Sequence, residues 1–231
     1  MCITLWRNRI DIIMTKTKEF KLEFSLTSYC QARCPTCPRT NEETGYPEPW
    51  LKLQHTDFDL FKKTTQKSIY WKEHKLRSVK FCGEYGDPMM HPKVEDFISY
   101  CLNNNAEEVI VNTNGGLRSP DWYTKMGERY GQRLTIVFGI DGTTAHVNNL
   151  YRVDVDWYRA MDNLRAYSNS PGRAVWQFIV FEHNYHQMDE CLRMVDEIGC
   201  DEHFFLWNTQ PYGLITPEHK AEVDAKYKVE C

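Results

Sequence analysis

The sequence predicts an α/β fold with a mainly parallel β-sheet, on three observations. Segments rich in β-branched and aromatic residues alternate with segments of helical periodicity. The stretches between the expected strands are long enough for the right-handed helical crossovers that parallel strands require. The chain has 231 residues, 42% of them hydrophobic, which is enough for one sizeable domain with a buried core. Periodicity alone does not separate an open twisted sheet from a barrel.

Six strands are predicted, each from a short run that suits a pleated, half-buried surface. In chain order they are 22–27 (LEFSLT), 77–82 (RSVKFC), 108–112 (EVIVN), 134–140 (LTIVFGI), 175–181 (VWQFIVF) and 203–207 (HFFLW). Helices are predicted near 57–71 with a break inside, 91–101, 121–130, 155–167 and 185–198. Pro120 favours the start of the third helix and Gly199 the end of the last. After Gly213 the chain turns polar, and no further element is predicted.

Charge and hydropathy exclude several classes of protein. Lys and Arg total 28 against 32 Asp and Glu, a net charge of -4, so a broad nucleic-acid footprint is not expected. No apolar run approaches the roughly 20 residues that span a bilayer. The first fourteen residues are interrupted by Arg7, Arg9 and Asp11, unlike a signal peptide. We therefore expect a cytoplasmic protein that does not contact a membrane.

Three of the nine cysteines lie within eight positions: Cys30, Cys34 and Cys37. A disulfide framework is typical of small secreted domains, so metal ligation is the better interpretation of this group. Structural zinc usually takes four protein ligands from two pairs, and a second C-x-x-C is missing. Three thiolates around an iron–sulfur cubane would leave one iron open to another ligand. This favours an iron–sulfur cluster over zinc.

Polar, glycine-containing segments follow four of the predicted strands. They read CQARCPTC after the first strand, GEYGDP after the second, NTNG after the third and DG after the fourth. In parallel α/β folds, ligands bind at the carboxyl ends of the strands. These four loops therefore predict one site at that edge of the sheet.

With these motifs the chain resembles the radical S-adenosylmethionine (SAM) superfamily, whose signature C-x-x-x-C-x-x-C follows the first strand. The flanking CPTCPR is similar to the core domain of members with a SPASM or twitch extension, and the resemblance covers roughly residues 21–207. It implies a partial (β/α)6, TIM-like barrel and a 4Fe-4S cluster held by Cys30, Cys34 and Cys37. It also implies SAM bound at the open iron, reductive cleavage of SAM, and abstraction of a hydrogen from a substrate. A peptide or protein substrate is weakly favoured.

The resemblance also implies which residues contact SAM. The loop after the second strand is similar to the family's GGEP loop, T-N-G follows the third strand, and G-I-D-G replaces S-x-D-G after the fourth. The cofactor-binding residues implied are Tyr85, Gly86, Asp87, Asn114, Asp141 and Gln177. Three positions depart from the family pattern: Asp87 replaces Glu, Gly139 replaces Ser, and Thr36 replaces an aromatic residue. Taken without the cysteine motif, the same residues could be ordinary turn or strand positions, and Glu84 is a competing acid.

The domain organisation expected is an N-terminal extension over 1–20, a radical SAM core over 21–210 and a C-terminal tail over 211–231. The tail reads either as the start of a truncated SPASM-like extension or as a plain tail. A reducing partner such as flavodoxin or ferredoxin is implied. Two alternatives stay open: a non-catalytic iron–sulfur electron-transfer or metal-binding module, and a radical SAM enzyme acting on a nucleotide or small molecule. The sequence does not identify the substrate.

Overall fold

The computed structural model describes residues 10–14 and 19–230. Within them, eight strands form one sheet whose spatial order follows the chain order. The strands are β1 Ile10–Met14, β2 Glu19–Phe24, β3 Lys75–Phe81, β4 Ala106–Thr113, β5 Leu134–Gly139, β6 Arg173–Val180, β7 Glu202–Trp207 and β8 Val229–Glu230. Strands β2 to β8 are parallel, and β1 pairs antiparallel with β2. The sheet curls into a half-barrel, which confirms the predicted partial, TIM-like barrel.

The helices pack between successive strands. They are α1 Phe58–Lys67, α2 Ile69–Glu73, α3 Val94–Asn103, α4 Pro120–Tyr130, α5 Ala145–Tyr151, α6 Trp157–Ser168, α7 Met188–Ile198 and α8 Pro217–Lys226. The predicted break in the first helix is confirmed at Ser68, which ends α1 and caps α2 by accepting a hydrogen bond from the backbone N–H of Trp71. Helix α7 ends at Gly199, whose φ of 76° is the left-handed conformation that glycine allows.

The end of the chain differs from the prediction. No element is expected after Gly213 from the sequence, whereas the structure has α8, which follows the Thr216 cap, and β8, a seventh parallel strand. Strand β8 has only two residues, and it pairs with Phe205 and Leu206 of β7. Strand β8 has no hydrophobic pattern and depends on its pairing with β7. Helix α8 does have local signals, the Thr216 cap and Pro217 in its first turn, which could have predicted it. Strand β1 falls in the expected N-terminal extension, where no strand is predicted.

The two faces of the sheet differ in polarity. One face packs against the helices and supplies the largest fully buried side chains, among them Phe81, Phe138 and Trp176. Alternation along each strand turns the intervening residues to the other, concave face. That face carries polar pairs: Lys80 donates to Glu23 over 3.1 Å. Because the strands run parallel, the loops that follow them all open at one edge of this polar face.

No helix among the described residues is long and apolar enough to cross a membrane.

Candidate cofactor site

A cavity of about 270 Å³ lies at the carboxyl ends of the parallel strands. Its walls come from the loop after β2, the loop after β3, the end of β4 with the loop that follows it, residues of β5 and β6, and Arg152 after α5. The lining residues are Cys30, Ala32, Cys34, Cys37, Arg39, Gly83, Gly86, Asp87, Asn112, Thr113, Asn114, Val137, Gly139, Arg152 and Gln177. Three of the four polar loops expected to converge therefore supply lining residues. The DG loop after β5 does not, and its aspartate lies behind the cavity wall.

The three clustered cysteines share this cavity as free thiols. Cys34 is buried and the other two are half-buried. Burial is the main cause that raises the pKa of Cys30 to about 12 and of Cys34 to about 11. A metal that binds Cys30 and Cys34 must therefore displace their protons. Over the described part of the chain, no group of three His, Cys, Asp or Glu side chains is gathered closely enough to hold a metal ion.

The cysteine loop is held in shape by backbone contacts with three other segments. The N–H of Ser28 donates to Gln54 O, the N–H of Asp87 donates to Tyr29 O, and the N–H of Arg33 donates to Val153 O, over 2.9 to 3.0 Å. Inside the loop, Cys37 N–H donates to Cys34 O over 3.2 Å. Thr36 lies in this turn with a φ of 59°, an uncommon conformation for a β-branched residue. The loop is thus fixed by the rest of the fold and stores local backbone strain.

Asp87 joins the second loop to the third. Its carboxylate is 4% exposed and accepts hydrogen bonds from the Thr113 hydroxyl at 2.9 and 3.0 Å. It also accepts from the backbone N–H groups of Asn114, at 2.8 Å, and Met89, at 2.9 Å. Burial raises the pKa of Asp87, and these donors oppose that rise. Asp87 forms no ion pair within the described residues, so only neutral hydrogen-bond donors stabilise its negative charge.

Asn114 joins the third loop to the cysteine loop. Its Oδ1 accepts from Gln31 Nε2 at 2.7 Å and from the backbone N–H of Gly116 at 3.0 Å. Its Nδ2 donates to Gln31 Oε1 at 3.3 Å and to Cys30 Sγ at 3.7 Å. Asn114 is therefore a bridge between two walls of the cavity, in direct contact with one of the thiols.

Asp141 lies behind the cavity wall rather than in it. Its carboxylate is fully buried, accepts from the N–H of Ile179 at 2.7 Å, and pairs with Arg152 Nε at 2.6 Å. The guanidinium of Arg152 lines the cavity, and its side chain is 15% exposed. Burial is the largest single effect on Arg152 and lowers its pKa, but Asp141, Cys34 and Tyr151 together outweigh burial and raise the pKa of the guanidinium. Asp141 thus positions a cation that faces the cavity.

Gly139 leaves the room that Arg152 occupies. A Cβ at position 139 would lie 2.7 Å from Nη2 of Arg152, closer than real contacts allow. The serine of the family motif, replaced here by Gly139, would meet that guanidinium. In this chain the Arg152 guanidinium therefore occupies the space beside position 139 where the serine side chain would lie.

The structure brings most of the predicted site residues together. Cys30, Cys34, Cys37, Gly86, Asp87, Asn114 and Gln177 line the one cavity. Gly86 is required by close packing, because a Cβ there would lie 2.4 Å from Thr27 O. Tyr85 does not line the cavity; its ring meets the edge of the Trp50 ring at a centroid distance of 5.9 Å. Asp141 is the other predicted residue outside the cavity lining.

Eight lining residues were not predicted as site residues, among them Arg39, Arg152 and Asn112. Arg39 directly follows Cys37-Pro38, so its place in the motif was the available signal. Arg152 follows the short helix α5, and no spacing rule links it to the cysteines. Asn112 lies near the end of β4, and its Oδ1 is buried without a hydrogen-bond partner among the described residues.

The residues present suit an iron–sulfur cluster with SAM beside it. Three free thiols from one loop supply the donors such a cluster takes. The same cavity offers a carboxylate, Asp87, and a guanidinium, Arg152, and an amino-acid group such as that of SAM carries the opposite charges. The unpartnered Asn112 oxygen offers a further acceptor to a bound molecule.

Comparison with known proteins supports this fold at low sequence identity. No protein-family model matches the chain, and no curated protein matches it. The solved structure of native anSMEcpe with bound AdoMet matches with a TM-score of 0.64 at 13% identity, over 83% of this chain and 54% of that one. Native anSMEcpe with bound AdoMet and Kp18Cys peptide gives 0.65 at 12%, over 87% and 56%. Streptococcus suis SuiB bound to precursor peptide SuiA gives 0.61 at 12%, over 90% and 45%.

The chain spans about half the length of these solved structures. Over most of its own length, it has the fold of the radical SAM enzymes anSMEcpe and SuiB.

Proposed function

We propose that this chain is the core of a radical SAM enzyme. Cys30, Cys34 and Cys37 would hold a 4Fe-4S cluster, and SAM would bind beside it in the same cavity. The observation that carries the proposal is that three free thiols of one loop line one cavity with the ends of four parallel strands. The chemistry supplied by the cluster and SAM when bound is reductive cleavage to methionine and a 5′-deoxyadenosyl radical, which abstracts a substrate hydrogen.

The protein's own residues would bind and orient the amino-acid end of SAM. The guanidinium of Arg152 would donate to the SAM carboxylate, held in place by its pair with Asp141. Asp87 would place its negative charge near the SAM amino group, since its carboxylate lines the same cavity. Asn114 would keep the cysteine loop in register with the third loop through Gln31. Gln177 would contribute a polar side chain from β6, and Tyr85 and Asp141 would act from outside the cavity lining.

A peptide or protein is the favoured substrate. The support is by likeness of fold only: solved structures of SuiB and anSMEcpe contain peptides, as their names state. The electron would come from a reducing protein such as flavodoxin or ferredoxin in a reducing cytoplasm. The substrate classes can be separated by adding either a pool of mixed peptides or a pool of nucleosides to the reconstituted protein. Only a pool that contains a true substrate should increase 5′-deoxyadenosine release above the basal level. Stimulation by mixed peptides supports the proposal, and stimulation by nucleosides alone supports the small-molecule alternative.

The test of the activity is anaerobic reconstitution with iron and sulfide, followed by SAM and dithionite. We expect iron and sulfide in equal amounts, broad visible absorbance, and release of 5′-deoxyadenosine. Cys34→Ala should lose the absorbance and all SAM cleavage, because a cubane cannot be held by the remaining two thiolates and keep its open iron. Cys200→Ala is the matched control, since that half-buried thiol lies outside the cavity.

The proposal fails if Cys34→Ala keeps the iron content of the wild type. A cluster that forms but does not respond to SAM would instead identify the chain as an iron–sulfur carrier.

A further inference from the structure

We propose that Arg39 raises the reduction potential of the bound cluster, acting as a buried cation that no carboxylate neutralises. The inference rests on the proposed function, because it presupposes a cluster on the three cysteines. It goes beyond that function by assigning a redox role to a residue of the cysteine loop that binds neither SAM nor iron.

Arg39 is deeply buried for an arginine. Its exposed fraction is 5%, and it lines the cavity together with Cys30, Cys34 and Cys37. Its Nη1 donates to Ala32 O at 3.0 Å, and its Nε lies at 3.5 Å from Ser28 O. Both acceptors are neutral carbonyl groups of the cysteine loop itself. The guanidinium is therefore held close to the thiols by the same loop that carries them.

The charge of Arg39 has no ionic partner. Within the described ranges, 10–14 and 19–230, Arg39 makes no ion pair with a carboxylate, whereas Arg152 pairs with Asp141 and Arg33 with Asp154. Among these three arginines, only Arg39 combines burial with an unneutralised charge beside the thiols.

A buried positive charge beside the thiols would change the reduction potential of a cluster bound there. Reduction adds one negative charge to the cluster, and a nearby cation stabilises the reduced form more than the oxidised form. Net charge, hydrogen bonding and solvent exposure are the protein's main means of setting cluster potentials. Burial strengthens the interaction because little water screens it. A low-potential one-electron donor would then reduce the cluster at a less negative potential than without Arg39.

The experiment compares Arg39→Gln, which removes the charge but keeps a donor for the loop carbonyls, with Arg39→Lys, which keeps the charge. Arg33→Gln is the matched control, an exposed arginine of the same loop. Each protein is reconstituted anaerobically, checked for iron, sulfide and visible absorbance, and then titrated with dithionite and redox mediators without SAM. The reduced fraction is read from the visible spectrum and from electron paramagnetic resonance.

We expect Arg39→Gln to lower the ratio of reduced to oxidised cluster about tenfold at a fixed potential, a shift of about 59 mV for one electron. Arg39→Lys and Arg33→Gln should titrate close to the wild type. An Arg39→Gln protein that loads a cluster and titrates like the wild type overturns the inference while the proposed function stands. Failure of the wild type itself to hold iron and sulfide overturns both.

If Arg39→Gln does not hold iron, its potential cannot be measured, and the iron content of Arg39→Lys is used to test the inference. Loading of Arg39→Lys alone then shows that the charge is required and supports the inference. If Arg39→Lys also fails to load, the fork of hydrogen bonds to Ser28 and Ala32 is the requirement, and the redox role is overturned.

Discussion

Asp87 and Asp141 are both buried carboxylates just beyond parallel strands, yet they are stabilised in different ways. Asp141 accepts a backbone N–H bond and pairs with a guanidinium at 2.6 Å. Asp87 has only neutral donors, from Thr113 and two backbone N–H groups. The first acid positions a cation, and the second ties two loops together. The comparison teaches that burial and position at a strand end do not define the role of an acid in this site.

The largest loss of stability should come from breaking the ion pair between Asp141 and Arg152. Asp141→Asn leaves Arg152 as a buried cation without a partner, and we expect it to lower the free energy of unfolding by about 3–5 kcal/mol. Denaturant unfolding measures this. The control is Asp154→Asn, which breaks the exposed pair with Arg33 and should cost about 0–1 kcal/mol. Equal losses in the two variants would show that Arg152 does not depend on Asp141.

A smaller loss of stability is expected when Asp87, which has only neutral hydrogen-bond donors, is replaced. Asp87→Asn replaces one acceptor oxygen by a donor that faces Thr113 and the N–H of Asn114. Leaving one of these buried donors unsatisfied should cost about 1–3 kcal/mol of unfolding free energy. SAM binding to the reconstituted variant should also weaken. A loss as large as that of Asp141→Asn would mean that Asp87 has an ionic partner after all.

The smallest effect is a difference in pH dependence. Burial raises the pKa of Asp87 in the folded state, so its contribution to stability is fully present below the unfolded pKa of about 3.9 and declines as pH rises through the folded value. The charged group that acts on it is Arg152, which opposes the rise. The destabilisation caused by Asp87→Asn should therefore shrink as pH rises from about 4, by less than about 1.4 kcal/mol per pH unit.

Unfolding free energies of the wild type and Asp87→Asn at several pH values measure that slope. A destabilisation that grows with pH would mean that the pKa of Asp87 is lowered in the folded protein.

The parts of the fold that the sequence predicts are those with strong local patterns. Hydrophobic runs such as LTIVFGI locate the six central strands, and Gly199 marks the end of α7 by ordinary capping chemistry. Strand β8 has no such pattern, because its two residues depend on β7 for their hydrogen bonds. It could not be predicted without the tertiary structure.

The site shows the same limit. The three cysteines and the converging loops follow from spacing and from the direction of parallel strands. Arg152 does not, because its approach depends on the turn after α5 and on the space left by Gly139. The sequence predicts that Asp141 follows its strand, as it does in the structure. It does not predict that the carboxylate pairs with Arg152 and accepts the N–H of Ile179. Side-chain pairing across loops is a property of the assembled barrel rather than of any local motif.

The small apolar cluster of Ala32, Cys34 and Val155 has a consequence for how related chains can diverge. It packs the cysteine loop, including Cys34, against the segment that follows Arg152. A larger residue at position 32 would push these two segments apart unless Val155 became smaller. We expect positions 32 and 155 to covary in volume among descendants of the same ancestral chain, even where every polar residue of the cavity is kept.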